Sequence, residues 1–283
     1  MSILSIQSHV AYGHVGNAAA VFPLQRLGLE VWPVNTVEFS NHVGYDGFRG
    51  RVLEPELVAD VIAGLAERGV LGRCRAVLSG YLGDVSLGKV VLDALARVRT
   101  DNPGVLYACD PVIGDVGIGR YVNPGIAEFF RDRAVPMADL LFPNQFEIDA
   151  LVGRPVRIRA EAIGAARELV GRGPRVVTVT SFYPEDAPDV IEALTVTAET
   201  AFAVRVPRLP VTVHGTGDAF AALFLARWLE RPEPARALEL AAASIHGVLR
   251  QTPGGGLTEM ALIAAQDELV RPSRIFPAEP VEG

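Results

Sequence analysis

The sequence predicts an α/β fold of three layers, in which helices cover both faces of a central, mostly parallel β-sheet. Short apolar runs alternate along the chain with longer segments whose apolar residues recur every three or four positions. This alternation is typical of βα units that build a parallel sheet. Beyond residue 181 it gives way to two β-rich stretches close together, which predict an antiparallel β-hairpin at one edge of the sheet.

The predicted parallel strands are short and rich in apolar side chains, as expected for strands buried on both faces. They comprise residues 3–6, 31–34, 76–79, 105–110, 139–142 and 176–180. Apolar spacing of three and four predicts the covering helices, over residues 17–27, 56–68, 87–98 and 160–170. The hairpin is predicted over residues 191–197 and 201–206, and three further helices over 218–229, 234–251 and 260–269.

Length and composition limit the class of protein. The chain has 283 residues, of which 49% are apolar and 21% charged, and this composition suits a globular fold. No linker or repeat interrupts the pattern, so we expect a single domain over residues 1–283. A formal charge of −7, with no cluster of Lys or Arg, argues against a nucleic-acid surface and favours a small-molecule substrate.

The sequence contains neither a signal-like segment nor a membrane-spanning run. Its N-terminus has no basic region followed by a long apolar stretch. No uninterrupted apolar run reaches about 18 residues, the length that spans a bilayer. We therefore expect a cytoplasmic protein with no membrane partner.

Polar residues and glycines follow the predicted parallel strands at the points where the strands end. They are Ser8, Gly80, Asp110, Asn144 and Thr180. In open α/β sheets, ligands bind at the carboxyl ends of the parallel strands. The sequence therefore predicts a binding site along this edge of the sheet.

The strongest motif is the turn Gly215-Thr216-Gly217-Asp218, which opens an apolar helix. Glycines allow backbone N–H groups to converge on a phosphate at a helix N-terminus. An aspartate beside such an anion hole can accept the proton of an attacking hydroxyl group. The alternative is that Asp218 only caps or complements the helix.

Two further segments place carboxylates at strand ends. Asp110 begins the run that reaches Asp115, and Asn144 precedes Glu147 at the start of a helix. Carboxylates in these positions can hold Mg²⁺ directly or through water, as a kinase requires. The alternatives are that Glu147 is a helix-start acid and that Asp110 is a turn residue before a proline.

Three polar loops offer candidate substrate contacts. The loop from Ser8 to Asn17 lacks the GxGxxG pattern of dinucleotide-binding proteins and presents a hydroxyl group and two histidines. Residues 40–45 form a second polar and aromatic loop. In the third loop, Tyr81 either stacks on a flat ring or packs in the core. The histidines show no metal-binding spacing.

Taken together, these segments resemble the pyridoxal kinases of the ribokinase-like superfamily over nearly the whole chain. The turn at residues 215–218 marks the superfamily in general. The substrate-side similarity lies in residues 5–10, 13–17, 22–25 and 39–42, and the nucleotide-side similarity lies in residues 109–112, 114–115 and 143–147. The SIQSHV and FSNH runs indicate the vitamin B6 branch of the superfamily.

The resemblance implies ATP-dependent phosphorylation of the 5′-hydroxymethyl group of pyridoxal, and of pyridoxine and pyridoxamine, to support vitamin B6 salvage. It implies a catalytic turn in which Asp218 is the base and Gly215, Thr216 and Gly217 form the anion hole. The residues it places around the substrate ring are Ser8, Val15, His42, Val43, Tyr81 and Asp218. Those it places at the ATP are Asp110, Asp115, Phe142, Asn144, Glu147, Thr180, Ser181 and Thr216.

The resemblance also implies the cofactors and the assembly. Mg²⁺ would accompany ATP at Asp110 and Glu147, directly or through water. Whether a monovalent cation also assists is left open. A flexible segment at residues 114–121 resembles the family's loop that folds over the phosphates, where closure would exclude water. The family further implies a homodimer.

Three positions depart from the pattern of the family. Val43 stands where a polar residue commonly follows the SNH run, and Phe142 replaces a smaller residue before the Pro-Asn pair. His214 replaces a small apolar residue and adds a titratable group next to the anion hole. Two alternatives to a pyridoxal kinase therefore stay open: a hydroxymethylpyrimidine kinase, and a non-catalytic protein of the same fold that binds B6 vitamers.

Overall fold

The apolar runs of the sequence form one ten-stranded sheet in the computed structural model, which describes residues 2–185 and 187–282. The strands of the described chain are β1 (Ser2–Val10), β2 (Glu30–Phe39), β3 (Gly50–Val52), β4 (Cys74–Ser79), β5 (Leu106–Cys109), β6 (Gly114–Asp115), β7 (Gly119–Arg120), β8 (Leu140–Leu141), β9 (Val176–Phe182), β10 (Val190–Val196), β11 (Ala201–Pro207) and β12 (Glu279–Pro280). The helices are α1 (Asn17–Arg26), α2 (Pro55–Glu67), α3 (Val85–Asp101), α4 (Ile126–Phe129), α5 (Gln145–Val152), α6 (Arg159–Val170), α7 (Thr216–Glu230), α8 (Pro234–Gln251) and α9 (Gln266–Val270).

The order of the strands confirms the predicted fold class. Across the sheet they run β12-β11-β10-β9-β8-β5-β4-β1-β2-β3. The six strands from β9 to β2 pair in parallel. At one edge β10 and β11 form the predicted antiparallel hairpin, which β12 extends. At the other edge the short β3 is antiparallel to β2.

Alternating side chains of the strands supply two hydrophobic cores, one on each face of the sheet. Along β1, Leu4 and Ile6 point into one core and Ile3 points into the other. The first core packs against helices α2 to α6, and the second packs against α1, α7, α8 and α9. Helix α7 therefore lies on the second face, and its first turn reaches the carboxyl edge of the parallel strands.

The predicted helix over residues 260–269 is wrong in its first half. Only residues 266–270 form a helix, and the preceding residues form turns. The backbone N–H of Ala261 donates to the hydroxyl of Thr252 at 3.0 Å, and Leu262 donates to the carbonyl of Met260 at 2.7 Å. Met260 and Leu262 are buried in the second core. Their apolar spacing therefore reflects burial of a turn rather than helical periodicity.

The periodicity also missed the shortest elements. Strands β3, β6, β7 and β12 and helix α4 span two to four residues each, too few to show a repeat. Among the described residues, no helix combines the length and apolar character needed to cross a membrane.

Candidate active site

A cavity of about 420 Å³ opens at the carboxyl ends of the parallel strands, as the sequence predicts. Fifteen of the sixteen predicted site residues line it, and they come from distant parts of the chain. They are Ser8, Val15, His42, Val43, Tyr81, Asp110, Asp115, Asn144, Glu147, Thr180, Ser181, Gly215, Thr216, Gly217 and Asp218.

Phe142 is the exception among the predicted ATP contacts. Its side chain is 1% exposed, and its ring packs edge-on against Phe224 of α7 with 5.3 Å between ring centroids. Phe142 directly follows β8, and its ring points into the second core. Phe142 therefore supports the helix that carries the glycine turn and does not line the cavity.

The turn before α7 lacks a side-chain cap at its N-cap position. Gly215 is the N-cap residue in the left-handed region, with φ of 82°, and no side chain caps the helix. A Cβ at this position would overlap the carbonyl oxygen of His14. The first N–H groups of a helix have no acceptor within the helix. Because this helix start also lines the cavity, its amides are available to an anion.

Asp218 lies in the first turn of α7 and faces the same cavity. Burial raises its pKa to about 6, although backbone N–H groups of Gly16 and of Asp218 itself bond the carboxylate and oppose the rise. A carboxylate with this pKa is ionised at neutral pH and is more basic than an ordinary aspartate. It can therefore accept a proton beside the anion-binding turn.

Two buried carboxylates, Asp110 and Glu147, line the cavity. The Glu147 side chain accepts backbone N–H groups of Ile113 and Asn144, both at 2.9 Å. The side chain of Asn144 accepts the Glu147 N–H at 2.9 Å, which completes a capping box for α5. Glu147 is thus a helix-start acid, as the alternative interpretation held, and it also lines the cavity.

Burial, and then neighbouring carboxylates, raise the pKa values of these two carboxylates. Burial raises the pKa of Glu147 to about 8. The pKa of Asp110 lies well above its usual range because of burial and then because of the charges of Glu147 and Asp218. A cation placed between these groups would favour their ionised forms. No cluster of three or more His, Cys, Asp or Glu side chains suited to a metal occurs in the described chain, so such a cation needs further ligands from a bound molecule or water.

The segment predicted as a loop over the phosphates forms a short ribbon. Gly114 and Asp115 of β6 pair with residues 119–120 of β7. The Asn144 side chain donates to the Gly114 carbonyl at 2.8 Å, and a Cβ on Gly114 would overlap the ring of Phe146. The ribbon is therefore attached to the start of α5, and Asp115, Ile118 and Tyr121 face the cavity.

On the substrate side, the loop after β1 lies directly against the first strand and the glycine turn. Ser8 is 7% exposed, and a Cβ on Gly16 would overlap both the Ser8 carbonyl oxygen and its hydroxyl. The backbone of this loop can therefore approach Ser8 and Asp218 only because residue 16 is a glycine. Val15 and Tyr81 complete this part of the wall.

His42 and His214 form a stacked pair over the cavity, with ring centroids 3.7 Å apart and planes inclined by 27°. Burial and then the proximity of His214 lower the pKa of His42 to about 4. Burial also lowers the pKa of His214, although Glu259 and Asp115 oppose this shift. Both rings are therefore neutral at pH 7. The sequence identified each histidine but not their contact, because 172 residues separate them along the chain.

Sequence reasoning missed the far wall of the cavity. This wall combines the outer hairpin with apolar side chains of α7 and α8. It includes Ile191, Ala193, Val206, Leu209, Phe220, Ile245, His246 and Leu249. The apolar residues among them have the same periodic pattern as core residues, so only the structure shows that they line the cavity.

An aspartate in the first turn of a helix that begins with glycine, at the carboxyl edge of a mostly parallel sheet, fits an ATP-dependent kinase of the ribokinase-like fold. The sequence matches the phosphomethylpyrimidine kinase family over residues 35–260. It is 54% identical to pyridoxal kinase PdxY of Rubrobacter xylanophilus, over 99% of this chain and 98% of the relative. It is 49% identical to pyridoxal kinase PdxY of Granulibacter bethesdensis, over 99% of both chains.

Solved structures agree with the sequence comparisons. The pyridoxal kinase from Leishmania donovani in complex with ADP and pyridoxamine superposes with a TM-score of 0.92 at 30% identity, with 99% of each chain covered. The same enzyme in complex with ADP and pyridoxine gives a TM-score of 0.91. The chain belongs to the pyridoxal kinase family, and the resemblance seen in its motifs is confirmed.

Proposed function

We propose that this ATP-dependent kinase transfers the γ-phosphoryl group of ATP to the 5′-hydroxymethyl group of pyridoxal, and that the products are pyridoxal 5′-phosphate and ADP. The observation that carries the proposal is the position of Asp218 in the uncapped first turn of α7, at the cavity. The relatives named above are pyridoxal kinases, and the Leishmania enzyme binds pyridoxamine and pyridoxine beside ADP. Pyridoxine and pyridoxamine are therefore proposed as further substrates.

In the proposed reaction, Asp218 takes the proton of the 5′-hydroxyl group as the oxygen attacks the γ-phosphorus. The bond between the γ-phosphorus and the bridging oxygen of ADP breaks, and that oxygen leaves with the negative charge. Backbone amides of Gly215, Thr216 and Gly217 stabilise the charge on the transferred group. The raised pKa of Asp218, about 6, makes it a better proton acceptor while it remains ionised at neutral pH.

The nucleotide is assigned to the carboxylate side of the cavity. We assign its phosphates to the edge formed by Asp110, Asp115, Asn144, Glu147, Thr180, Ser181 and Thr216, which all line the cavity. Asp110 and Glu147 would hold Mg²⁺, which neutralises the β- and γ-phosphates when bound. Each carboxylate would hold the ion directly or through water, and Glu147 already accepts two backbone N–H groups. A monovalent cation remains a proposal to be tested by potassium titration.

The substrate ring is assigned to the opposite end of the cavity. Ser8, Val15, His42, Val43 and Tyr81 line that end. The buried Ser8 hydroxyl is placed to bond a polar substituent of the ring, and Tyr81 to pack against its face. Val43 offers no side-chain hydrogen bond, so neighbouring backbone groups would take that role. We further propose a single domain over residues 1–283, a homodimer and a cytoplasmic location.

The test is an assay of purified protein with Mg·ATP and each of pyridoxal, pyridoxine, pyridoxamine and hydroxymethylpyrimidine. Phosphorylated product and ADP are measured together. We expect phosphorylation of pyridoxal with equimolar ADP. The match to the phosphomethylpyrimidine kinase family favours hydroxymethylpyrimidine as the second candidate. Product from that compound alone would replace the proposed substrate, and binding without any product would favour the non-catalytic alternative.

A further inference from the structure

Glu259 joins two substrate-side loops to the C-terminal part of the chain. It lies between α8 and α9, is partly buried and does not line the cavity. One carboxylate oxygen, Oε2, accepts the backbone N–H of His14 at 2.9 Å. The other, Oε1, accepts the hydroxyl of Tyr45 at 2.6 Å. The carboxylate thus bridges the loop after β1 and the loop after β2, which are 245 and 214 residues away in sequence.

The packing around this carboxylate is close. Gly13 has φ of 102°, and a Cβ there would lie 2.6 Å from both Glu259 carboxylate oxygens. The Tyr45 ring makes an edge contact with Tyr12, with centroids 6.1 Å apart. Burial, then the hydrogen bond to Glu259, raises the pKa of Tyr45 well above its usual range. The tyrosine therefore stays protonated and keeps donating to the carboxylate.

Each bridged loop leads directly to the proposed reaction centre. The carbonyl of His14 lies against Gly215 of the anion turn, and Gly16 donates its N–H to Asp218. In the second loop, the Tyr45 N–H donates to the carbonyl of His42 at 3.2 Å. A displacement of either loop would therefore move groups that border the substrate.

We propose that Glu259 is a positioning residue that holds these two loops together and thereby sets the geometry of the substrate end of the cavity. The inference rests on the proposed function. In the described chain, Glu259 accepts hydrogen bonds from His14 and Tyr45, and its charge acts on His214; it has no hydrogen bond with Asp110, Glu147 or the ribbon of β6 and β7. Its loss should therefore weaken the use of pyridoxal and leave the binding of ATP unchanged.

The test compares Glu259→Ala, Glu259→Gln and Tyr45→Phe in steady-state kinetics with pyridoxal and ATP varied separately. We expect Glu259→Ala to raise the KM for pyridoxal about tenfold, since two hydrogen bonds to a carboxylate are lost. Tyr45→Phe loses one of these hydrogen bonds and should raise the KM for pyridoxal about threefold. Glu259→Gln keeps one acceptor oxygen and should fall between the two. The KM for ATP should change less than about twofold in all three.

Glu268→Gln is the matched control. Glu268 also accepts a backbone N–H, from Ser273 at 2.7 Å, and its carboxylate also packs against a glycine, Gly247. It lies away from the cavity lining, so all its kinetic constants should stay near those of the wild type. An unchanged KM for pyridoxal in Glu259→Ala, or an equal rise in both KM values with a lower Tm, would overturn the positioning role.

The outcome can be separated from a failure of the proposed function. If the wild type phosphorylates none of the four compounds, the proposed function fails, and pyridoxal and ATP binding are then measured by calorimetry in the same variants. A rise of about tenfold in the Kd of pyridoxal alone for Glu259→Ala supports the positioning role. Equal Kd values in the wild type and the variant reject it. Glu259→Gln and Tyr45→Phe serve the same comparison if Glu259→Ala does not fold.

Discussion

Helices α5 and α7 both begin at the edge of the cavity, yet their first turns are built in opposite ways. Helix α5 begins with Asn144, whose side chain and that of Glu147 bond each other's backbone N–H groups. Helix α7 begins with Gly215, and no side chain caps it. One helix start is capped by side chains, whereas the other has glycine at its N-cap position, and the Asp218 carboxylate bonds the Asp218 N–H.

The difference shows how one fold can use one helix start for its own stability and another for binding a ligand. A capping side chain stabilises a helix by about 1 kcal/mol, whereas glycine at the N-cap costs only a few tenths by comparison. The open turn of α7 therefore costs the helix little stability. Its backbone donors need no reorganisation when charge develops on the transferred group in the proposed reaction. The closed turn of α5 instead holds a carboxylate, Glu147, in a buried position that it would otherwise leave.

The largest expected effect is on the open turn, in Asp218→Asn. The amide has nearly the shape of the carboxylate but cannot take the substrate proton, so kcat should fall by about 10²- to 10⁴-fold. Binding of ATP, followed by calorimetry, should remain. Asp267→Asn is the control, because Asp267 is also an acid in a first helical turn, that of α9, and is 94% exposed. A kcat for Asp218→Asn within a factor of two of the wild type would exclude Asp218 as the base.

Gly215→Ala should have the next largest effect. The added methyl group would overlap the carbonyl of His14, and the residue would also need φ near 82°. We expect a loss of stability of roughly 2–3 kcal/mol or more, together with a large fall in turnover. Urea unfolding and the kinase assay would measure the two effects.

Gly117→Ala is the control that isolates the steric part of this effect. Gly117 has φ of 83°, and nothing lies within 4 Å of an added Cβ. Gly117→Ala should therefore lower the free energy of unfolding only through the strained backbone conformation, by about 1 kcal/mol. Equal losses of stability in the two variants would show that the contact with His14 is unimportant.

Because Glu147 is buried in the closed turn of α5, we expect the stability of the nucleotide-free protein to depend on pH. The pKa of Glu147 is about 8 in the folded chain and 4.5 as the ordinary value. Between these values the unfolded chain releases this proton while the folded chain retains it. The group's stabilising contribution is therefore complete below pH 4.5 and is lost as the pH rises through about 8, by at most about 1.4 kcal/mol per pH unit.

Urea unfolding of Glu147→Gln between pH 6.5 and 8, without ATP or Mg²⁺, tests this assignment. In that window Asp218, with a pKa of about 6, and His42, with a pKa of about 4, contribute little change. Asp110, whose pKa is also raised, partly by Glu147, contributes in both proteins, so the difference between the curves measures Glu147 together with its effect on Asp110. We expect the free energy of unfolding to fall less steeply with pH in the variant than in the wild type. Parallel curves, whatever their vertical offset, would show that Glu147 does not hold a proton in this range.

The same two helix starts show what could be predicted from the sequence. The glycine turn at residues 215–218 was predicted because glycines let backbone N–H groups converge at a helix start, although the sequence left open that Asp218 only caps the helix. The strand ends at Asp110 and Asn144 followed from periodicity, and the fold class and family were confirmed. That Glu147 is a helix-start acid was only an alternative, and its capping box with Asn144 was not predicted, because the sequence does not show which N–H groups a carboxylate bonds.

What the sequence could not predict depends on contacts between distant segments. Phe142 was assigned to the nucleotide, but a residue at a strand end can point to either side, and here it packs on Phe224. The apolar wall at Ile245 and Leu249 has the same periodicity as the core. Glu259 lies just before a segment predicted as a helix, where no function was predicted, and its partners are more than 200 residues away.

The smallest expected effect is that of Asn144→Ala in the closed turn. It removes the acceptor for the Glu147 N–H and the donor to the Gly114 carbonyl, which holds the ribbon of β6 and β7. The cap alone is worth about 1 kcal/mol in the free energy of unfolding. Asn144→Ser restores a capping oxygen but cannot reach Gly114, so it should recover most of the stability. If turnover recovers as well, the cap is the main role of Asn144; if stability recovers and turnover does not, the bond to the ribbon is needed for catalysis.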